Sequence, residues 1–297
     1  MSGGRISLDE LNRATREQFA AALGGIFEHS PWVAEAVFGQ RPFATLAALH
    51  EAMKNVVRAV SDERKLALLR IHPDLAGKTA LAGTMTADSK SEQGSAGLDC
   101  LSAQELKRFQ ALNDAYKAKF GFPFIVCVRR HTRDSIFHQF EIRLTNNVAA
   151  EYEAALAEIF RITALRLAQH VDAKGDQLNV HGFVDVHVID IERGLPATGL
   201  VVELRELSRS GVEQRVASGT INSKGSTDFP LFAGCPVPIG QYELQFSVGH
   251  YFAHSDRPTI RSFLDVVPVR FSVADPEGYY HIPLRITPWT YTVYRGR

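Results

Sequence analysis

Between Ile71 and Leu98 the sequence reads IHPDLAGKTALAGTMTADSKSEQGSAGL, which places a histidine, serines and carboxylates in one loop-rich segment. His72 precedes Pro73, and a proline pushes the residue before it out of the helical region. The preceding run SDERKLALLRI therefore predicts a helix that ends at His72. An imidazole at a helix C-terminus is favoured in its protonated form by the macrodipole. Asp74, Ser89 and Glu92 follow within reach of a compact loop, so an acid/base histidine with carboxylate and hydroxyl neighbours is available. HPD is also a common helix stop, and the local motif alone does not choose between a catalytic and a structural histidine.

A chain of 297 residues predicts two domains of about 150 residues each. Lysine plus arginine total 33, as do aspartate plus glutamate, with no long block of one sign, which argues against nucleic acid or an anionic membrane as partner. Cys100, Cys127 and Cys235 are scattered without CxxC spacing, disfavouring a disulfide scaffold or a zinc cluster. His250 and His254 are spaced by four but lack the HExxH glutamate and a clear third ligand, and no pyridoxal-phosphate or thiamine motif is recognisable, so neither a metal nor an organic cofactor is expected. The opening MSGGRISLDEL has no apolar core and no run approaches a membrane span, so a soluble, cytoplasmic protein is expected.

The elements that must position these residues fall into two classes, giving a multidomain α and β chain. Residues 1–171 carry helical periodicity and predict an all-α domain. Ser7 and Glu10 form a capping box for a helix through Phe19 and Leu23. Phe43, Leu46, Leu49, Met53 and Val57 repeat at helical spacing, and Ser61 stands where an N-cap belongs. Ser102 and Glu105 cap a helix lined by Phe109, Tyr116 and Phe120, which ends at Gly121. FPFIVCV, Phe122 to Val128, must be internal, though periodicity leaves strand or helix turn open. Two further helices follow, one around Ile136 and Phe140, the other over Val148 to His170.

Residues 172–179 are polar and without period, and read as a linker. Over 180–297 the period becomes two. Val184, Val186 and Val188 alternate with Phe183, Asp185 and His187, and Ile282, Leu284 and Ile286 alternate with His281, Pro283 and Arg285. Short alternating strands between Gly- and Pro-rich turns predict an antiparallel β-sandwich. His187 and His281 lie opposite the apolar rows and are not needed for its core. With Tyr294 in the polar tail TVYRGR they predict a cleft, formed between subunits.

Residues 1 to about 170 resemble the 2-oxo-4-hydroxy-4-carboxy-5-ureidoimidazoline (OHCU) decarboxylase family through HPDLAGK (His72 to Lys78), TADSKSEQGSAGLDCL (Thr86 to Leu101) and LNDAYKAKFGFPFIVCVR (Leu112 to Arg129). The second half resembles the transthyretin-like 5-hydroxyisourate hydrolases through VHVIDIERGLPA (Val186 to Ala197), YYHIPLRITP (Tyr279 to Pro288) and the YRG at Tyr294 to Gly296. Together the resemblances imply hydrolysis of 5-hydroxyisourate to OHCU and cofactor-free decarboxylation of OHCU to (S)-allantoin on one chain. The alternative they leave is a decarboxylase joined to a non-catalytic binding or oligomerising sandwich.

In the first half the resemblance implies His72 and Glu92 as catalytic residues, with Pro73, Ser89, the backbone at Ile125 and Arg166 binding substrate; Arg161 competes with Arg166 for the last role. Arg166 is expected to pair with the substrate's carboxylate or a carbonyl. In the second half it implies His187, His281 and Tyr294 as catalytic, with Ser226 and Arg295 in contact with substrate. Ser226 stands where the family has an arginine, leaving Lys224 or Arg285 to supply charge, and Tyr279 replaces a histidine. A homo-oligomer is implied, with transthyretin-type tetramers and dimerising helical domains.

Overall fold

The computed structural model describes residues 5–77, 86–98, 100–175, 177–209, 211, 213–254 and 262–296; Lys78 of the HPDLAGK motif and the terminal Arg297 lie outside them. The chain divides into two compact units, one up to Arg129 and from Ile136 to Val180, the other from Arg130 to Ser135 and from His181 onward.

The first unit is helical and opens with α1 (Leu8–Arg13) and α2 (Arg16–Leu23). The continuous helix expected through Leu23 is interrupted because Ala14 is extended and Thr15 starts a second capping box with Gln18. After α3 (Trp32–Val37), Thr45 caps α4 (Leu46–Ala59), whose stripe Leu46, Leu49, Met53 and Val57 is buried as its spacing requires. Ser61 caps α5 (Asp62–Arg70), which stops one turn-residue earlier than expected, at the cap Ile71. Thr86 caps α6 (Ala87–Ser95), and the Ser102 and Glu105 capping box starts α7 (Ala103–Phe120), closed by Gly121 at φ 77°, a left-handed position that suits glycine. Then come α8 (Arg133–Arg143) and α9 (Val148–His170).

Long α9 is the axis of this unit. It buries Leu156, Ile159, Ile162 and Leu165 together with the polar Glu151, Glu158, Thr163 and Arg166. Strands β1 (Ile6–Ser7) and β2 (Val171–Asp172) pair in parallel, while the Arg5 guanidinium donates to the carbonyls of Ala168 and Val171 at the end of α9.

Up to Cys127 the FPFIVCV segment is neither strand nor helix turn, and its last residue, Val128, opens a 3₁₀ turn over Val128–Arg130. Phe122, Phe124, Ile125, Val126 and Cys127 are all buried in irregular backbone. Charged side chains from the helices satisfy that backbone: the Glu158 carboxylate accepts from Cys127 N at 2.8 Å, and Arg143 donates to Ile125 O at 2.6 Å. An apolar run can be buried without a ladder when its peptide groups have such partners.

The second unit is a sandwich of two four-stranded sheets. In one the order is β10 (Tyr291–Val293), β9 (Tyr279–Ile286), β3 (Phe183–Asp190), β4 (Leu195–Pro196); in the other it is β6 (Glu213–Thr220), β5 (Val201–Leu207), β7 (Gly240–Ser247), β8 (Val266–Val273). All named pairs are antiparallel except β3 with β9, which run parallel. Val184, Val186, Val188, Ile282, Leu284 and Ile286 turn inward and are buried. A one-residue slip of β3 would turn its three valines to solvent at about 1.5–3 kcal/mol each, which pins the register. On β8 the alternation is weaker, with Val267 and Val273 buried and Val269 and Phe271 only partly covered.

Candidate active sites

The turn that carries His72 is tied to two helices. On α7, the Asn113 side chain donates to Leu75 O at 2.9 Å and Lys117 pairs with Asp74 at 2.6 Å; on α6, Gln93 Oε1 accepts from Ala76 N at 3.1 Å. The imidazole Nδ1 lies 2.9 Å from Leu68 O on the last turn of α5. A carbonyl can only accept, so Nδ1 carries the proton and Nε2 keeps its lone pair.

Burial lowers the His72 pKa to about 4, outweighing the Leu68 carbonyl and the Glu28 carboxylate, which favour the charged ring. The macrodipole expectation of a protonated ring is thereby overturned: desolvation is the larger effect, and the imidazole is neutral near pH 7. Its orientation comes from a backbone carbonyl rather than from a carboxylate.

Two cavities meet at His72 and Pro73. One, of about 770 Å³, is also lined by Glu28, Asp74, Asn113 and Lys117. The other, of about 40 Å³, is bounded by Ser89, Glu92, Ile125 and Arg166 and by the buried Phe124 and Val126. The smaller holds little more than a water molecule, so a five-membered ring with substituents must occupy the larger or widen the smaller.

Arg166 from α9 reaches into this region, whereas Arg161 pairs with Glu158 and is largely exposed. The Arg166 Nε donates to Glu92 at 2.8 Å, Nη2 to Glu92 at 2.9 Å and to Ser89 at 3.2 Å, and Nη1 to Glu28 at 2.7 Å. Four of the five N–H donors are thus committed to Glu92, Ser89 and Glu28 in this structure. Ile125 lines the smaller cavity, but its carbonyl is already taken by Arg143.

Glu28 is the residue that sequence reasoning missed. It is 3% exposed, and Thr86 donates to its other oxygen at 2.8 Å. Burial pushes its carboxyl up, yet Arg166 and Thr86 more than offset this and hold it below the usual range. The available signal was a carboxylate set between Ile26, Phe27 and Ser30, where a buried charge needs a partner.

In the second unit the parallel register places Asp185 opposite His281 and His187 opposite Pro283, all on the outward face. The His281 Nδ1 lies 2.6 Å from Asp185 Oδ1, and the Tyr279 hydroxyl donates to Asp185 Oδ2 at 2.7 Å, its ring stacked on that of His281. The Asp185 carboxylate accepts from Nδ1 and so fixes the orientation of the ring. The Ser226 hydroxyl stands 3.4 Å from His187 Nδ1, a weak contact.

Two glycines set how closely the loops approach these rings. A Cβ at Gly225, φ 87°, would come within 2.6 Å of the His187 ring, and one at Gly296 within 2.3 Å of the His281 ring. The tail is further fixed by Gly296 N donating to His281 O at 2.9 Å. Tyr294 is half-exposed, with the Arg285 guanidinium 5.9 Å from its ring centre. Arg295 departs from the expected cluster: its guanidinium lies 4.8 Å from the ring centre of the inward-facing Tyr280. Asp185, beside His187 in the alternation, escaped notice because its partner is ninety-six residues away.

Among the described residues no three His, Cys, Asp or Glu side chains converge as metal ligands; His250 and His254 stack on each other, and His254 Nδ1 bonds His250 O. No helix among the described residues is long and apolar enough to cross a membrane.

A mainly helical unit with His72 at the wall of two cavities, followed by a sandwich with two outward histidines, matches two family models. The one described as OHCU decarboxylase covers residues 12–168, and the one described as HIUase/Transthyretin family covers residues 184–296. The chain belongs to the OHCU decarboxylase family, with its second half in the HIUase/Transthyretin family. It is 41% identical over 165 residues to a 2-oxo-4-hydroxy-4-carboxy-5-ureidoimidazoline decarboxylase of Halalkalicoccus jeotgali, spanning 56% of this chain and 92% of the relative. A decarboxylase of the same name from Haloferax volcanii is 41% identical over 169 residues, spanning 57% and 98%. Across the whole length, the crystal structure of an (S)-allantoin synthase is similar, with 32% identity, 98% of this chain and 100% of that one covered, and a TM-score of 0.53.

Proposed function

We propose that the chain carries two consecutive activities of urate breakdown: hydrolysis of 5-hydroxyisourate to OHCU in the sandwich, and cofactor-free decarboxylation of OHCU to (S)-allantoin in the helical unit. The observation that carries the reading is the imidazole of His72, held through Nδ1 by the Leu68 carbonyl at the wall shared by the two cavities. Support for the pairing of activities comes from the similarity to the (S)-allantoin synthase over both halves.

In the helical unit His72 Nε2 takes the proton of the substrate's carbinol. The bond to the carboxylate breaks, CO2 leaves, and its electron pair passes into the ring toward the adjacent imine nitrogen. A proton returned to one face of the ring carbon sets the configuration. Glu92 and Ser89, held by Arg166, accept from and donate to the ureido and ring nitrogens, with Pro73 and Ile125 as walls. In the sandwich His281, oriented by Asp185, takes a proton from water, which attacks the lactam carbonyl; His187 and Tyr294 hold the developing oxyanion. Residues 1–171 and 180–297 are the two catalytic domains of this reading, joined by 172–179 in a cytoplasmic enzyme. Half-exposed Phe183, Tyr279 and Tyr294 around the histidines suit association of copies through this face, as dimers or tetramers.

The test is stopped-flow absorbance and circular dichroism on the full chain with freshly generated 5-hydroxyisourate. The expected result is two accelerated phases, the second forming optically active allantoin. Acceleration of the second phase alone would favour the non-catalytic sandwich, the reading that Ser226 in place of an arginine supports. Acceleration of neither would end the proposal.

A further inference from the structure

The outward face of β3, β9 and β10 forms a ladder whose rows can be read from the register. Phe183 lies opposite Tyr279, then Asp185 opposite His281, His187 opposite Pro283, and Ile189 opposite Arg285, which in turn faces Thr292 on β10. Arg285 therefore shares a face with both histidines and lies one row beyond His187. Among the described residues no carboxylate stands within ion-pair distance of it, in contrast to Arg205, Arg215 and Arg270 on the other sheet, which pair with Glu203 or Glu243. Its guanidinium instead stands 5.9 Å from the centre of the Tyr294 ring. Neither of the other cationic candidates is placed like this: Arg295 is turned over Tyr280, and Lys224 is exposed at the tip of its turn, beyond Ser226.

We infer that Arg285 is the substrate-anchoring guanidinium of the sandwich site, taking the anionic lactam edge of an oxidised purine at the end opposite to His281. This rests on the hydrolase reading given above. Four residues along a strand separate His281 and Arg285 by about 13 Å, room for a fused bicycle with a hydrogen bond at each end. His187 lies beneath the middle of such a ligand. A guanidinium is planar and presents parallel donors, so it grips a lactam oxygen and a neighbouring deprotonated ring nitrogen together, and the Tyr294 ring 5.9 Å away does not neutralise its charge. The position of the guanidinium on a strand rather than on the Asn222–Gly225 turn means that the turn needs only to bring Ser226 to His187.

The experiment measures 5-hydroxyisourate hydrolysis by the full chain for the wild type, Arg285→Lys and Arg285→Ala, with circular dichroism and thermal melting to confirm that each folds. Arg285→Ala should raise KM at least tenfold with a smaller change in kcat, and added guanidinium ion at non-denaturing concentration should restore part of kcat/KM. Arg285→Lys, which keeps the charge but not the fork, should fall between. Wild-type kcat/KM in a folded Arg285→Ala, or a loss that guanidinium does not relieve, overturns the assignment while leaving the hydrolase reading standing. A wild-type protein that does not accelerate hydrolysis at all refutes the hydrolase reading, and this inference with it.

Discussion

Replacing His72 by Asn tests the central reading most directly, because the two amino acids share the one contact that fixes the ring. The Asn amide can donate to Leu68 O as Nδ1 does at 2.9 Å, so the turn keeps its tie to α5 while the proton-accepting Nε2 is lost. A positioned acid/base is worth about 10²–10⁴-fold, or about 3–5 kcal/mol of barrier, and decarboxylation should fall by that factor. The pH profile of the unchanged protein gives a second, independent measure. With an ordinary value of 6.5 the imidazole would be about nine-tenths protonated at pH 5.5, and kcat/KM would drop about tenfold from its value at pH 7.5. Held at about 4 by burial, the ring stays almost wholly neutral at pH 5.5, and kcat/KM for OHCU should change less than about twofold between those pH values. Glu28 does not blur this window, since its carboxyl is held below the usual range. Formation of optically active allantoin from OHCU, followed by circular dichroism, measures both effects. A His72→Asn protein with near-normal turnover, or an acid limb centred near 6.5 in the unchanged protein, would refute the reasoning.

Arg166→Met should cost about 3–5 kcal/mol in urea denaturation, because it leaves Glu28 and Glu92 facing each other without their cation, and adding Glu28→Gln should recover part of that loss; a double variant no more stable than the single would contradict the account. Asp185→Asn should lower kcat for 5-hydroxyisourate hydrolysis by about 10²–10⁴-fold with little change in KM, since the amide permits the wrong His281 tautomer, and unchanged steady-state kinetics would remove Asp185 from the site. His50, whose pKa burial lowers to about 4 against Thr163, is neutral in the fold but protonates from pH 6.5 downward in the unfolded chain, so stability falls as pH drops from 6.5 through 4, by about 3 kcal/mol in all. Chemical denaturation of wild type and His50→Gln at pH 7 and pH 4.5 should show a smaller acid loss in the variant. Sedimentation velocity should find the chain associated at micromolar concentration, and Tyr279→Lys with Phe183→Lys should shift it toward monomer; a wild-type monomer would count against the proposed interface.

Capping boxes at Ser7 and Ser102, the stripe of α4 and the alternation of β3 and β9 were legible because each depends on residues within a few positions of one another. The contacts that make the sites are not of that kind. Arg166 meets Glu28 across 138 positions and His281 meets Asp185 across 96, and no local pattern predicts which distant carboxylate a cation will find. The buried run at Phe122 to Val128 illustrates the same limit, since its lack of period reflects satisfaction by Glu158 and Arg143 rather than by its own neighbours. His72 differs from the expectation for another reason. At an exposed helix end a positive charge gains about 0.3–1 kcal/mol, whereas burial of an imidazole opposes its charge by several times that amount.

The two units fix the orientation of a histidine ring through Nδ1 by different physical routes, and the difference follows from where each histidine sits. His72 is half-buried, so desolvation disfavours the charged form and a neutral backbone carbonyl suffices to choose the tautomer. A carboxylate placed there in its stead would favour the imidazolium and work against a free base. His281 stands on an open sheet face, partly wetted, where a carboxylate can orient the ring and its charge is moderated by solvent and by the Tyr279 hydroxyl. Exchanging the supports should therefore fail in both places: a carboxylate beside His72 would bring its proton back, while removing the one beside His281 would leave the ring free to turn.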